Sequence, residues 1–357
     1  MPVTARLLEP SEYDAWNAFV AADPRGDLLQ STAWGELKAA SGWKPSVVAV
    51  DDGGIRGGMM LLRRALPAGR ALFYAPRGPV LDPQDADVLG AVTKAASEHA
   101  RANGGLLVKV DPPFEDEAAA VALRGRGFRD VGGCGGFGGT QPRCVMQLDL
   151  DRGPDELLAS FHQKWRYNIR LAAKKGVTIR QSVDRADLPI FYRILEETAK
   201  RDHFLVRGLS YFEAMWDALA PRGWMRLFLG EVEGEAVCGA LSYLFGDKCW
   251  YTYGASSNAH REKMPNYLMQ WDMIQWAQSS GCRWYDFRGV SCTPDDPNDK
   301  TAGLNRFKSG FNPRFVRYIG EFDLPLSAPG YWAFTKALPR AKAIMKRSRS
   351  REAGVEE

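Results

Sequence analysis

The two halves of this 357-residue chain carry the same elements in the same order. GWKPSVVAVDDGGIRGGMMLLRR, from Gly42, and GWMRLFLGEVEGEAVCGALSYLFG, from Gly223, each read as a strand, a polar turn ending in glycine and a second strand. ALFYAPRGP (71–79) and CWYTYGASS (249–257) read as third strands. Segments 85–105 and 266–282 place apolar residues at three- and four-residue steps and stop at glycine, so they read as helices. LLVKVDPP (106–113) and RWYDFRGV (283–290) then return as buried strands. Five matching elements in one order make coincidence a weak explanation, and they predict two similar domains.

Strand, strand, strand, helix, strand is the order of N-acyltransferase folds of the GNAT type. The expected class is therefore α+β, with two tandem GNAT-like domains and a cleft between them. The first is expected over 1–145 plus 320–357, and the second over 146–319. FVRYIGEFDL (315–324) reads as a strand closing the second copy before the tail packs back on the first. In the connection, 145–151 and 177–183 read as strands, and 154–176 and 186–202 as helices. The tail after Tyr331 reads as a basic helix fraying into a mixed-charge end.

Composition excludes several classes. No apolar run approaches the ~18 residues of a membrane-spanning helix. The N-terminus lacks the basic start and apolar core of a secretory signal, so a cytoplasmic protein is expected. In that setting the six cysteines, which form no CxxC, read as reduced and mostly buried thiols. The four histidines show no metal-ligand spacing, so neither a metal nor a cofactor is expected. GxSxG and GxxxxGK[ST] are missing, which argues against a serine hydrolase and a P-loop nucleotidase. GGCGGFGG (132–139) does not fit a dinucleotide fingerprint and reads as a flexible loop. The glycine-rich turn that holds CoA pyrophosphate in ordinary GNAT enzymes is missing as well. REKMPNYLMQW (261–271) and DPQDADVLG stand in its place. A donor other than CoA is expected.

Two cationic segments could carry chemistry. Arg166, Arg170 and Lys174 recur at i, i+4, i+8 on the predicted helix, with Lys164 and Lys175 beside them and no acid in the run. Such a face fits phosphates, RNA included, or it is a solvated face beside an acidic neighbour. In GLNRFKSGFNPRFVRY (303–318), Phe307, Phe311 and Phe315 are spaced by four, an apolar helix stripe before Pro313. Lys308 would point off that stripe. It is either a surface lysine or a cation placed to stabilise an oxyanion or a phosphate.

KWRYNIRLAAKKGV (164–177), RDHFLVRGLSYF (201–212), WYTYGASS (250–257), MPNYLMQWDMIQWA (264–277), WYDFRGV (284–290) and GLNRFKSGFNPRFVRYIGEFDL (303–324), with QSTAWGELKAASGW (30–43), form an ordered set. That set resembles the Fem family (FemABX) of peptidyltransferases, in particular its compact members without a helical-hairpin arm. The resemblance implies transfer of an amino acid from aminoacyl-tRNA to a stem-peptide amine of a peptidoglycan precursor, UDP-MurNAc-peptide or lipid-linked. It implies a monomer in the cytoplasm with peripheral contact at the inner face of the membrane. It puts the lysine of the Phe307-Lys308 pair at the reacting ester. It gives Lys38 and Arg207 to the acceptor's diphosphate, with Tyr211 in reach if 207–211 is helical. It sets Asp111 and Tyr253 along the acceptor groove, although a turn residue and a core residue are equally open readings. Arg166, Arg170, Lys174 and Lys175 would then meet tRNA. A CoA-dependent N-acyltransferase and a non-catalytic homologue that binds tRNA or precursor are the competing classes.

Overall fold

Val47–Val50 and Met59–Leu62 are buried without alternation, so the first hairpin is covered on both faces. The hairpin of the second half shows the same continuous burial. The computed structural model describes residues 3–132, 139–293, 296, 299 and 301–337. Its strands are β1 (Ala5–Leu7), β2 (Trp43–Asp51), β3 (Ile55–Ala65), β4 (Ala71–Ala75), β5 (Gly105–Val110), β6 (Arg129–Asp130), β7 (Cys144–Asp149), β8 (Val177–Ser182), β9 (Met225–Val232), β10 (Glu235–Phe245), β11 (Lys248–Ser256), β12 (Trp284–Gly289), β13 (Arg314–Arg317) and β14 (Phe322–Pro325). The helices that matter here are α1 (Tyr13–Ala22), α2 (Thr32–Ala39), α3 (Ala86–Ala102), α4 (Glu117–Gly125), α5 (Pro154–Ser160), α6 (Gln163–Lys174), α7 (Leu188–Asp202), α8 (Leu209–Leu219), α9 (Pro265–Ser279) and α10 (Ala302–Ser309).

Two seven-stranded sheets result, ordered β1-β2-β3-β4-β5-β14-β6 and β13-β7-β12-β11-β10-β9-β8. Within each, one pair of neighbours is parallel: β4 with β5, and β11 with β12. The other pairings are antiparallel. The strand orders correspond, so the repeat in the sequence is a repeat of topology. The place of β7 beside β12 is taken in the first sheet by β14, which arrives from the far end of the chain. A single core ties the halves together. In it Trp16, Trp34 and Leu37 pack with Phe191, Phe212 and Tyr243, and the Trp34 and Tyr243 rings meet edge-on at 6.1 Å.

Three expectations change. The helix over 154–176 is two helices, because Phe161 turns extended to bury its ring against Trp271 and Phe311. His162 then caps α6. The strand over 315–324 is also two, since Gly320 at φ +102° redirects the chain from β13 into β14. Phe315, where the predicted strand begins, lies half exposed on β13. The thiols are not all reduced: Cys144 and Cys292 form a disulfide with Cα atoms 5.3 Å apart. Cys144 opens β7 and Cys292 follows the neighbouring β12, a proximity that a separation of 148 residues hides from the sequence. Cys238, Cys249 and Cys282 are free and buried. Cys134, most of the loop 132–139 and the tail from residue 338 lie outside the described residues. Among the described residues no helix is long and apolar enough to cross a membrane.

Candidate active site

The parallel pairing of β11 with β12 lasts only from Lys248 opposite Trp284 to Trp250 opposite Asp286. Beyond that point β11 runs on to Ser256 without β12, and the ladder between β12 and β7 shifts register between Asp286 and Gly289. Backbone groups at this opening are free for side chains. The Gly289 carbonyl accepts a 2.7 Å hydrogen bond from the Lys308 ammonium.

Lys308 is not a surface lysine; it is 4% exposed. Its helix α10 is pressed onto α6, where Trp165 donates its indole N–H to the Phe307 carbonyl at 2.9 Å. Gly310 caps α10 so closely that a Cβ there would overlap the Trp165 ring. Phe307 packs its ring against Tyr267 and Phe311. Phe307 thus holds the helix, and Lys308, one residue on, is turned into the opening.

Burial pushes the Lys308 ammonium down to about 7; the Asp286 carboxylate opposes this and the Arg288 guanidinium adds to it. A consequence for stability follows. An unfolded lysine stays protonated to about 10.4, so between about 7 and 10.4 unfolding takes up a proton and this group's penalty falls as pH rises. Lys308→Met is expected to be more stable than the parent by about 1–3 kcal/mol at pH 7, with the gap narrowing toward pH 10. Thermal unfolding at several pH values checks this.

Around Lys308 stands a buried polar network that sequence reasoning does not single out. Asp286 accepts from the Arg288 backbone N–H at 2.6 Å and from Gln147 Nε2 at 3.1 Å. Gln147 Nε2 also reaches the Tyr318 hydroxyl at 3.0 Å. Arg288, at φ +62°, donates to Gln141 at 3.1 Å. Such a backbone is strained for a residue with a long side chain. From the first half, Arg77 stacks its guanidinium 4.8 Å from the Tyr318 ring centre. Its backbone, at φ +56°, donates to Asp111 at 2.6 Å. Asp111, directly after β5, also accepts from the Tyr74 hydroxyl at 2.6 Å and is 2% exposed. It is therefore more than a turn residue. Burial pushes its carboxyl up to about 6 against the pull of Arg77. The signal that could have found these groups is a charge inside an apolar strand end: Asp and Arg in WYDFRGV, and Arg in YAPRGP. A cavity of about 300 Å³ between the halves is lined by Asp286, Gln147 and Tyr318 together with Lys248, Trp250 and Trp284.

Farther along, Lys38 on α2 donates to the Tyr211 hydroxyl at 2.7 Å and lies 4.5 Å from the Trp34 ring centre. Arg207 stacks 4.5 Å over the Tyr211 ring. The segment 207–211 is not a continuous helix, because Gly208 caps α8 and leaves Arg207 just outside. Stacking rather than helical spacing brings Arg207 to Tyr211. Neither cation has a carboxylate partner among the described residues. Burial, then the Arg207 charge, push the Lys38 ammonium down to about 8. Tyr253, half buried on β11, meets the Phe212 ring at 5.1 Å and lies within electrostatic reach of both Arg207 and Arg288. Tyr253 thereby stands between the Lys38–Arg207 pair and Arg288, which in turn lies within electrostatic reach of Lys308.

Arg166, Arg170, Lys174 and Lys175 do not join these groups. They lie on the outer face of α6 and its end, opposite buried Trp165, Ile169 and Ala172. Among the described residues none forms an ion pair; Arg166 donates to the Ala159 carbonyl and Lys175 to the Glu262 carbonyl.

The model of the FemAB family matches residues 8–233 and 229–338. The lipid II:glycine glycyltransferase of Staphylococcus aureus (strain MRSA252) is 33% identical, over 93% of this chain and 96% of that protein. The crystal structure of FemX, 31% identical, covers 93% of this chain and 100% of that one with a TM-score of 0.85. A tandem GNAT protein from the clavulanic acid biosynthesis pathway shares the fold at 12% identity, covering 91% of this chain and 99% of that one with a TM-score of 0.53.

Proposed function

The chain belongs to the FemAB family, and from that premise we propose that it transfers an aminoacyl group from aminoacyl-tRNA to a stem-peptide amine of a lipid-linked peptidoglycan precursor, forming a cross-bridge on the cytoplasmic face of the membrane. One observation carries the reading: a buried lysine held by a single carbonyl at the strand opening, linked through Arg288 and Tyr253 to the cations Lys38 and Arg207. The half built on the first sheet would face the acceptor with Lys38 and Asp111, and the half built on the second sheet would hold the donor while adding Arg207, Tyr211 and Tyr253 to the acceptor's side.

The reaction asks little covalent chemistry of the protein. A neutral amine attacks the ester carbonyl, a tetrahedral oxyanion forms, and the ribose hydroxyl leaves with a proton. The ester is already activated, so positioning and charge stabilisation supply the rate. In its protonated form Lys308 would donate to the oxyanion, exchanging its bond to the Gly289 carbonyl for one to the developing charge. The Asp286 carboxylate would favour the protonated ammonium that makes this bond. Lys38 and Arg207, free of carboxylate partners among the described residues, would grip the diphosphate of the acceptor, with Tyr211 between them. Asp111 and Tyr253 would line the acceptor groove.

A donor other than CoA is favoured by the turn before α9. Met264 sits there at φ +57°, and Pro265, the first helical residue, has no N–H to offer a pyrophosphate. The outer face of α6 would meet the tRNA backbone. Reversing Arg170, Lys174 and Lys175 to glutamate is expected to raise the KM for charged tRNA. The salt dependence should flatten by about 0.7–0.9 in log–log slope for each phosphate interaction removed. Acceptor binding should stay unchanged. Titrations at several salt concentrations check this, and an effect confined to the acceptor would move the tRNA elsewhere.

The function itself is tested by incubating the protein with a mixed pool of charged tRNAs and lipid-linked precursor. The product should gain the mass of one or more aminoacyl residues, and an acyl-CoA should not replace the tRNA. Transfer from acyl-CoA alone would overturn the reading.

A further inference from the structure

Between α7 and α8 the chain makes a short loop whose side chains contradict its position. α7 ends at Asp202, and His203, at φ +56°, turns the chain out of the helix. The Phe204 N–H returns to the Ala199 carbonyl and closes the helix end. Val206 then anchors the loop by packing against the core shared by both halves. At the tip, Leu205 is fully exposed and Phe204 is 45% exposed. Single exposed apolar residues are ordinary, but two adjacent ones at the tip of an anchored loop leave apolar surface that no described residue covers.

The neighbours of the tip are cationic. Lys200 and Arg201 lie in the last turn of α7. Arg207 follows the tip by two residues and is itself exposed. Arg201 is partly neutralised by Asp202 at 3.0 Å, whereas Lys200 and Arg207 have no carboxylate partner among the described residues. Apolar side chains flanked in the chain by Lys200, Arg201 and Arg207, with Asp202 the one acid among them, match a surface that is negative outside and hydrocarbon beneath.

Position selects the occupant. In the function proposed above, on which this inference rests, Arg207 grips the acceptor's diphosphate. A lipid-linked diphosphate lies at the headgroup level of the membrane, because its lipid begins there. A loop tip two residues from Arg207 is then at the same level. We propose that Phe204 and Leu205 insert into the surface of an anionic bilayer, with Lys200 and Arg207 at the headgroups, and so dock the cleft over a membrane-embedded acceptor.

The test is sedimentation with vesicles of phosphatidylcholine alone and with about 30% phosphatidylglycerol, using the parent, Phe204→Glu and Leu205→Glu. The parent should bind the anionic vesicles and bind the neutral ones weakly. Each glutamate should lower that binding roughly tenfold or more, since it removes an inserted apolar side chain and adds a repelled charge. Both side chains are exposed, so the unfolding temperature should stay at the parent's value. Transfer to a water-soluble, nucleotide-linked acceptor should be unchanged in the variants, and transfer to an acceptor embedded in anionic vesicles should fall with the binding. Parent protein that ignores anionic vesicles, or glutamate variants that bind them as the parent does, would overturn the proposal. If the parent transfers to neither acceptor yet binds anionic vesicles through the two residues, the functional reading fails and the docking surface stands.

Discussion

Lys308→Ala is expected to lower turnover by about 10²–10³-fold while leaving acceptor affinity nearly unchanged. The magnitude is that of removing one preorganised donor to an oxyanion. The split between turnover and binding arises because the charge Lys308 would meet exists only in the transition state. Nothing in the ground state of either substrate replaces the Gly289 carbonyl, its present partner at 2.7 Å. The fold should survive, because the replaced group is a costly buried cation rather than a packing element. Lys308→Arg should recover only part of the rate, since a planar fork does not place a point charge in the same spot. Single-turnover rates at saturating substrates, set beside equilibrium acceptor binding, check both variants. Wild-type turnover with weakened precursor binding in Lys308→Ala would show that the two cation groups have each other's roles.

Lys38→Ala and Arg207→Ala should behave in the opposite way. Their proposed target, a diphosphate, is fully charged before any reaction, so the loss of either cation is felt in binding. A hydrogen bond to a charged group is worth about 1.5–3 kcal/mol, and each variant should weaken acceptor affinity by roughly 10–100-fold with a smaller effect on saturated turnover. The two effects should not add. Both cations lean on Tyr211, one through its hydroxyl at 2.7 Å and the other over its ring at 4.5 Å, so removing either loosens the other. Isothermal titration of the double variant against the singles reads the coupling.

The repeat is legible in the sequence because its elements are written locally. Hairpin turns, helical periodicity and glycine stops all fall within a few residues of one another. β2 to β5 and β9 to β12 therefore appear where the pattern predicts them. What stays hidden depends on distant partners. The chain's return to the first half after residue 320 is expected, but its pairing as β14 with β5, Phe322 opposite Val110, joins distant positions and no local pattern records it. The break at Phe161 follows from a pocket between Trp271 and Phe311, residues more than a hundred positions away. The Cys144–Cys292 pair is hidden for the same reason.

The site divides along the same line. Lys308 is visible as a cation beside an aromatic run, and Lys38 and Arg207 through a family resemblance. Their burial and stacking are not visible. Asp286, Arg288 and Arg77 each look like an ordinary strand end until the opposite half of the molecule closes over them. The four-residue stripe of Phe307 and Phe311 outruns its helix, because Gly310 caps α10 before Phe311 is reached.

The pH dependence of kcat/KM for the acceptor, measured from about pH 6 to 9 for the parent and Lys308→Arg, tests the central claim most directly. The attacking amine must lose a proton, and an ordinary alkyl ammonium does so near 10.4, so the neutral fraction climbs tenfold per unit throughout this range. Protonated Lys308 falls away above about 7 in the free protein. The product of the two should rise up to about pH 7 and then level off in the parent. In Lys308→Arg, whose charge does not titrate here, the lower rate should keep climbing to about pH 8, above which loss of the Lys38 proton lowers the slope of both profiles alike. Parallel profiles for the two proteins would contradict the claim that the charge on Lys308 carries the reaction.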